Sequence, residues 1–130
     1  MTLTSSQLAG LAERLREAGY TLDPVLDRLG DAANEALLRN STLAAEDALG
    51  SGRDPQATLV RLFLLQRTVP DADASAALGE YLEPLGEEGF LSVDAGGVRA
   101  GVEIRPYGES GADAWSGWIC HDLNPGLDRP

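Results

Sequence analysis

Apolar positions recur every three or four residues up to about residue 90 and every second residue after it, so the sequence predicts helices followed by strands. The densest apolar stretch is residues 58–66. Leu59, Leu62, Phe63 and Gln66 form one helical stripe, and Val60, Leu64 and Leu65 cover most of the remaining sides, so this helix has to be surrounded by other elements. Asp54 offers an N-cap acceptor and Pro55 suits the first turn, where its missing N–H is harmless. Val69-Pro70 ends the run. It falls short of the roughly 20 apolar residues a bilayer needs, and Arg61 interrupts it, which makes it the central core helix of a small soluble domain.

Upstream, Thr4 and Gln7 have the spacing of a capping box, and Leu8, Leu11, Ala12 and Leu15 mark one face of a helix that Gly19 closes. A second helix is predicted over residues 21–29, capped by Thr21 and stopped at Gly30. A third, capped by Asp31, covers 32–39, and a weaker fourth covers 43–49 before the Gly50-Ser51-Gly52 loop. Nothing in these fifty residues repeats at a fixed period, which argues against a solenoid.

Downstream, Asp71-Ala72-Asp73 is an N-cap candidate for a helix through Leu78. Gly79 breaks it, and a further helix over 81–88 tolerates Pro84 only in its first turn. Residues 90–94, the turn Ala95-Gly96-Gly97 and residues 98–105 then form a hairpin. Its second arm places Val98, Ala100, Val102 and Ile104 inward and Arg99, Glu103 and Arg105 outward. Helix, turn, helix, hairpin is the winged-helix order. Residues 115–123 read as one more strand, with Trp118, Cys120 and Asp122 on one face and Ile119 and His121 on the other.

The 130 residues are long enough for one domain that buries about two thirds of its unfolded surface. Twenty-one acidic residues against 10 arginines give a net charge of −11, which repels phosphate backbones and anionic membranes. The single cysteine rules out an internal disulfide. The start Thr2-Leu3-Thr4-Ser5 has no signal-peptide pattern, so a cytoplasmic location is expected.

Candidate chemistry is sparse. Cys120-His121-Asp122 resembles a nucleophile, base and carboxylate in name only, because adjacent strand residues point to opposite faces. One Cys and one His are too few for a structural zinc site. Gly96-Gly97 precedes a β-arm rather than a helix, so it reads as a turn and not as a phosphate cradle. No catalytic, cofactor-binding or metal-binding residue is expected in this chain. Winged helices invite a DNA-binding reading, yet residues 68–98 hold no basic residue and seven acids: Asp71, Asp73, Glu80, Glu83, Glu87, Glu88 and Asp94. Such a recognition helix would repel phosphate, and protein or domain contact is the better expectation.

Four segments carry a family resemblance: residues 59–65, the Glu88-Gly89-Phe90-Leu91 lead-in to the hairpin, Val102-Glu103-Ile104-Arg105-Pro106-Tyr107-Gly108, and Trp118-Ile119-Cys120-His121-Asp122-Leu123. Together they resemble the N-terminal domain of bacterial class I S-adenosylmethionine-dependent methyltransferases, two-part proteins related to the enzymes that methylate glutamine nitrogen in release factors or bases in ribosomal RNA. The resemblance runs from about Asp54 onward and is weaker before it. It implies a Rossmann-like catalytic domain as partner, S-adenosylmethionine as that partner's cofactor, and a protein or RNA substrate. The family's catalytic motifs are missing here. There is no Gly-x-Gly loop after a strand, and Asn124-Pro125-Gly126-Leu127 lacks the second proline and the aromatic of the Asn-Pro-Pro tetrad. The chain is therefore expected to be a piece of a longer protein, ending in its linker.

The resulting expectation is an α+β fold, with a helical cluster over 1–53 packed on a winged-helix-like unit over 54–123 as one compact domain, and a linker over 124–130. Its expected work is non-catalytic, recognising substrate or contacting the catalytic domain. A partly apolar, exposed contact patch is expected near Tyr107, Trp115 and Trp118, on or beside the sheet, since amphipathic rings are favoured where one side packs and the other meets a partner. Two rival expectations are a stand-alone winged-helix regulator that binds DNA and a dimerisation module. Membrane association is not expected.

Overall fold

The structure, a computed structural model, describes residues 3–108 and 116–123. It is an α+β fold of short helices and two small antiparallel sheets. Helix α1 (Ser5–Glu17) opens with the expected capping box: Gln7 N donates to Thr4 Oγ1 at 3.0 Å and Thr4 N to Gln7 Oε1 at 2.8 Å. Leu11 and Leu15 are buried, whereas Leu8, expected on the same face, is exposed. The second and third predicted helices form one kinked span, α2 (Leu22–Leu38), broken at Gly30, where φ is 83°. Asn34 Nδ2 spans the break, donating to the carbonyls of Gly30 (2.8 Å) and Leu26 (3.2 Å), groups that a straight helix would have satisfied itself. Thr21 makes no side-chain cap, contrary to expectation. Helix α3 (Leu43–Leu49) has the predicted bounds.

The central helix starts where Asp54-Pro55 places it, with Asp54 Oδ2 accepting from Ala57 N. It is α-helical only over α4 (Pro55–Leu59) and widens to a π-helix over Val60–Leu64, with Leu65 N reaching back to the Val60 carbonyl at 3.0 Å. Leu59, Val60, Leu62, Phe63 and Leu65 have no solvent exposure, as an all-round apolar helix requires. Arg61 leaves this core sideways and holds the loop after α3, its guanidinium donating to the carbonyls of Gly50 and Gly52. The helix ends at Leu65, ahead of the expected Val69-Pro70 stop, because Gln66 turns left-handed at φ 57°.

Helix α5 (Asp71–Leu78) is capped by Pro70, so Asp71 and Asp73 lie inside the first turn instead of at the cap, where their charge still favours the helix dipole. Its last carbonyls, Ala76 and Ala77, accept from the Arg14 guanidinium at 2.8 and 3.0 Å. A 3₁₀ turn, Gly79–Tyr81, leads to α6 (Leu82–Glu87), with Pro84 in its first turn as required. Strands β1 (Leu91–Asp94) and β2 (Gly97–Ala100) form the hairpin. Val69, between α4 and α5, makes an isolated antiparallel bridge to Val98 through paired backbone bonds of 2.8 and 2.9 Å, which ties the hairpin to the segment after the central helix. Gly97 makes this approach possible: at φ 122° it brings the hairpin so close that a Cβ would run into the Val69 carbonyl.

The predicted long second arm does not exist. It breaks at Gly101, whose N–H turns to the Phe90 carbonyl at 2.8 Å and which has no room for a Cβ beside the Gly89 carbonyl. Beyond the break, β3 (Val102–Gly108) pairs with β4 (Ser116–Asp122) in a separate two-stranded ribbon. Val98, Ala100 and Ile104 are buried as expected and Val102 is half-buried. Glu103, expected outward, is buried. One face of β3 meets the central helix while the other is covered by α2, so strand alternation here does not separate core from solvent. Among the described residues no helix is long and apolar enough to cross a membrane.

Candidate functional site

The ribbon β3–β4 is held to the helical cluster by one tyrosine. Tyr20 follows the Gly19 turn after α1, is wholly buried, and packs its ring against Phe63 at 6.4 Å between centroids. Its phenol donates to the Ile104 carbonyl in β3, and its own carbonyl accepts from the Trp118 indole N–H in β4 at 2.8 Å. Burial, and then the nearby Glu103 carboxylate, push the Tyr20 phenol well above its ordinary pKa, with Arg105 opposing weakly. It therefore stays a donor throughout the neutral range. Trp118 also lies under the Arg16 guanidinium, 5.2 Å from the ring centroid, so both ribbon strands are fixed to the end of α1.

Of the three expected contact rings, Trp115 lies outside the described residues. Tyr107 and Trp118 are both half-buried. The register pairs Pro106 with Trp118 and Tyr107 with Gly117, which puts the two rings on opposite faces of the ribbon. They make one surface only around its edge. The Tyr107 ring lies beside Gly117, at ordinary van der Waals distance from where a Cβ at that position would sit.

Between the kinked α2 and β3 lies a groove of about 420 Å³ that the sequence did not disclose. Leu22, Leu26, Leu37 and Leu38 line its apolar wall, and Glu103 and Arg105 its polar end. Glu103 Oε1 accepts from Arg105 Nε at 2.7 Å and lies 2.6 Å from its Nη2; the carboxylate is buried and the guanidinium half-exposed. A buried carboxylate is costly unless paired, and Arg105, assigned outward from the sequence, supplies that pair. Leu38 reaches solvent at 81% exposure, leaving the groove open along the second arm of α2. The missed signal was Gly101: a glycine inside an alternating strand marks a bend after which the faces need not keep their roles.

Elsewhere the residues bring little chemistry together. Cys120 is exposed, and desolvation followed by the Asp122 charge raises its thiol pKa, the reverse of what an activated nucleophile needs. The Cys120 and Glu103 positions lie on opposite ribbon faces, since Cys120 pairs with Ile104. No group of three or more metal-ligating side chains occurs among the described residues. Glu80, Glu83 and Glu87 are exposed on or beside α6, the helix that would enter a DNA groove, so its free surface is acidic.

A family described as Domain of unknown function (DUF7059) matches residues 17–101, and the chain belongs to that family. The match spans α2 through the β1–β2 hairpin and stops at Gly101, where the ribbon begins. No curated protein and no solved structure matches the chain.

Proposed function

We propose that this member of the DUF7059 family is the non-catalytic N-terminal accessory domain of a cytoplasmic S-adenosylmethionine-dependent methyltransferase. In this reading it contacts the catalytic domain and helps to position a protein or RNA substrate, while the cofactor is bound wholly by the partner domain. The observation that carries it is the convergence of the four segments behind the methyltransferase resemblance. The Val60–Leu64 part of the central helix packs on both β2 and β3, β3 pairs with β4, and the Glu88–Leu91 lead-in closes on Gly101 at their junction. Segments far apart in sequence thus build one joint, the kind of shared core that a common family pattern describes.

The contact is assigned to the Trp118 side of the ribbon. Trp118 is half-buried, fixed by Tyr20 and Arg16, and close to the last described residues of the chain. A rigid, partly exposed ring of this kind can accept a partner at low entropic cost. The acidic face at α6 supports a protein contact there over a nucleic-acid one.

The test is the gene's reading frame beyond the codon for Pro130. It is expected to continue into a Rossmann-like domain with a Gly-x-Gly loop and an Asn-Pro-Pro-aromatic tetrad; a stop codon at that point would remove the reading. In the longer protein, Trp118→Ser should loosen the contact between the two domains, read as faster proteolysis between them.

A further inference from the structure

We propose that the groove between α2 and β3 binds a small amphipathic molecule, one with an aliphatic body and an uncharged carbonyl head such as an amide or ester. The inference is independent of the methyltransferase reading. The groove follows from the kink in α2. Leu22, Val25, Leu26 and Leu29 form one helical stripe on the first arm and Leu37 and Leu38 belong to the second, yet all six line the same space. Gly30, at φ 83°, turns the second arm so that its buried face holds Ala33 and Ala36 and leaves Leu37 and Leu38 to the groove. Asn40, a non-glycine residue at φ 63°, stands at the end of that arm, and Leu64 enters from the π-helical part of the central helix. Backbone irregularities of these kinds cluster at ligand sites.

Size and lining call for an aliphatic body. The volume of about 420 Å³ falls in the range of small-molecule sites, roughly 300–1,000 Å³. Val25, Leu29 and Leu64 are buried at its floor, whereas Leu26 and Leu38 are exposed and leave in water the apolar surface that an aliphatic chain would cover.

The head follows from the polar end. Nε and Nη2 of Arg105 lie 2.7 and 2.6 Å from Glu103 Oε1, while Nη1 bonds no group among the described residues and the guanidinium side chain is 49% exposed. Glu103 therefore both fixes the guanidinium and neutralises it, and the outer N–H groups call for an acceptor oxygen. A second carboxylate would meet a pair already balanced, in a chain of net charge −11. An ammonium head would meet donors only, since the Glu103 side chain behind them is 2% exposed. A carbonyl oxygen accepts from the free edge at neither cost.

NMR titration of the isotope-labelled 130-residue chain with octanamide, octanoate and octylammonium tests this. Octanamide is expected to shift the backbone amides of Leu26, Leu37, Leu38 and Arg105 saturably, and to bind more tightly than either charged probe, by about threefold. Leu38→Asp, at an 81% exposed position, should leave the fold intact in the same spectrum and weaken octanamide roughly tenfold, what one or two lost methylene contacts cost. Leu8→Asp, at an exposed position on α1 that does not line the groove, should leave the binding unchanged. No saturable shift at these amides, an equal effect of the two substitutions, or a charged probe binding as tightly as octanamide would overturn the site. Shifts of the same amides on raising the protein concentration alone would also overturn it, by showing that a second copy of the chain fills the groove.

Discussion

Tyr20 and Trp118, 98 positions apart in sequence, are joined by the indole N–H of Trp118 donating to the Tyr20 carbonyl at 2.8 Å. The same tyrosine returns a bond from its phenol to the Ile104 carbonyl. One residue at the end of α1 therefore holds both strands of the ribbon. Tyr20→Phe keeps the ring against Phe63 but leaves the Ile104 carbonyl buried without its donor. The expected cost is about 1–3 kcal/mol in urea unfolding. A change below about 0.5 kcal/mol would mean that the ribbon is held by packing alone.

The raised pKa of the Tyr20 phenol has a definite sign in pH. Burial favours the neutral phenol, so its contribution to stability is complete below the ordinary tyrosine value of 10.0 and is lost as pH climbs through the higher folded value. Ultraviolet titration of the chain's three tyrosines should show one that stays protonated above pH 10 until the protein unfolds. Three tyrosines titrating together in folded protein would contradict the burial of Tyr20.

Phe63 has no exposure and lies in the π-helical part of the central helix, where it supports Tyr20 from beneath. Phe63→Ala is expected to cost roughly 3–5 kcal/mol, the range for emptying a buried aromatic site. A loss within about 0.5 kcal/mol would place Phe63 outside the core.

Much of this core was legible in the residues, for local reasons. Asp54-Pro55 marks a helix start because a carboxylate acceptor and a fixed φ act within one turn, and Gly30 marks a break because it alone in its helix can take φ 83° cheaply. Glu103 was not legible. Alternation says which residues share a face but not what covers that face, and β3 is covered on both sides only because α2, some seventy positions earlier, folds over it. The same limit hid the groove with Leu38 and Arg105. The π-helical stretch at Val60–Leu64 also left no mark, since its apolar residues would suit an α-helix equally well. Tyr107 and Trp118 stood close in sequence, yet a strand pairing that no spacing discloses set them on opposite faces.

Asp54 joins two functions, capping α4 and binding Arg28 through contacts of 2.7 and 2.9 Å. The Arg28 hydrogen bonds hold its carboxyl below the ordinary carboxylate range despite partial burial. Its contribution is therefore present above the unfolded value, near pH 4, and is lost as pH falls through the lower folded one. Asp54→Asn keeps the cap and should flatten the acid limb of a stability profile below about pH 4. Asp54→Ala should cost a further 0.5–2 kcal/mol or so at neutral pH, from the lost cap. Equal effects of the two substitutions would show that the cap contributes nothing.

Under the proposed function, this domain serves a methyltransferase without itself binding the methyl donor. Calorimetry with S-adenosylmethionine tests it most directly, on the 130-residue chain and on the full product of its reading frame. The chain alone is expected to give no binding heat, and the longer product to bind in the micromolar range. Micromolar binding by the chain alone, or none by the longer product, would contradict the claim.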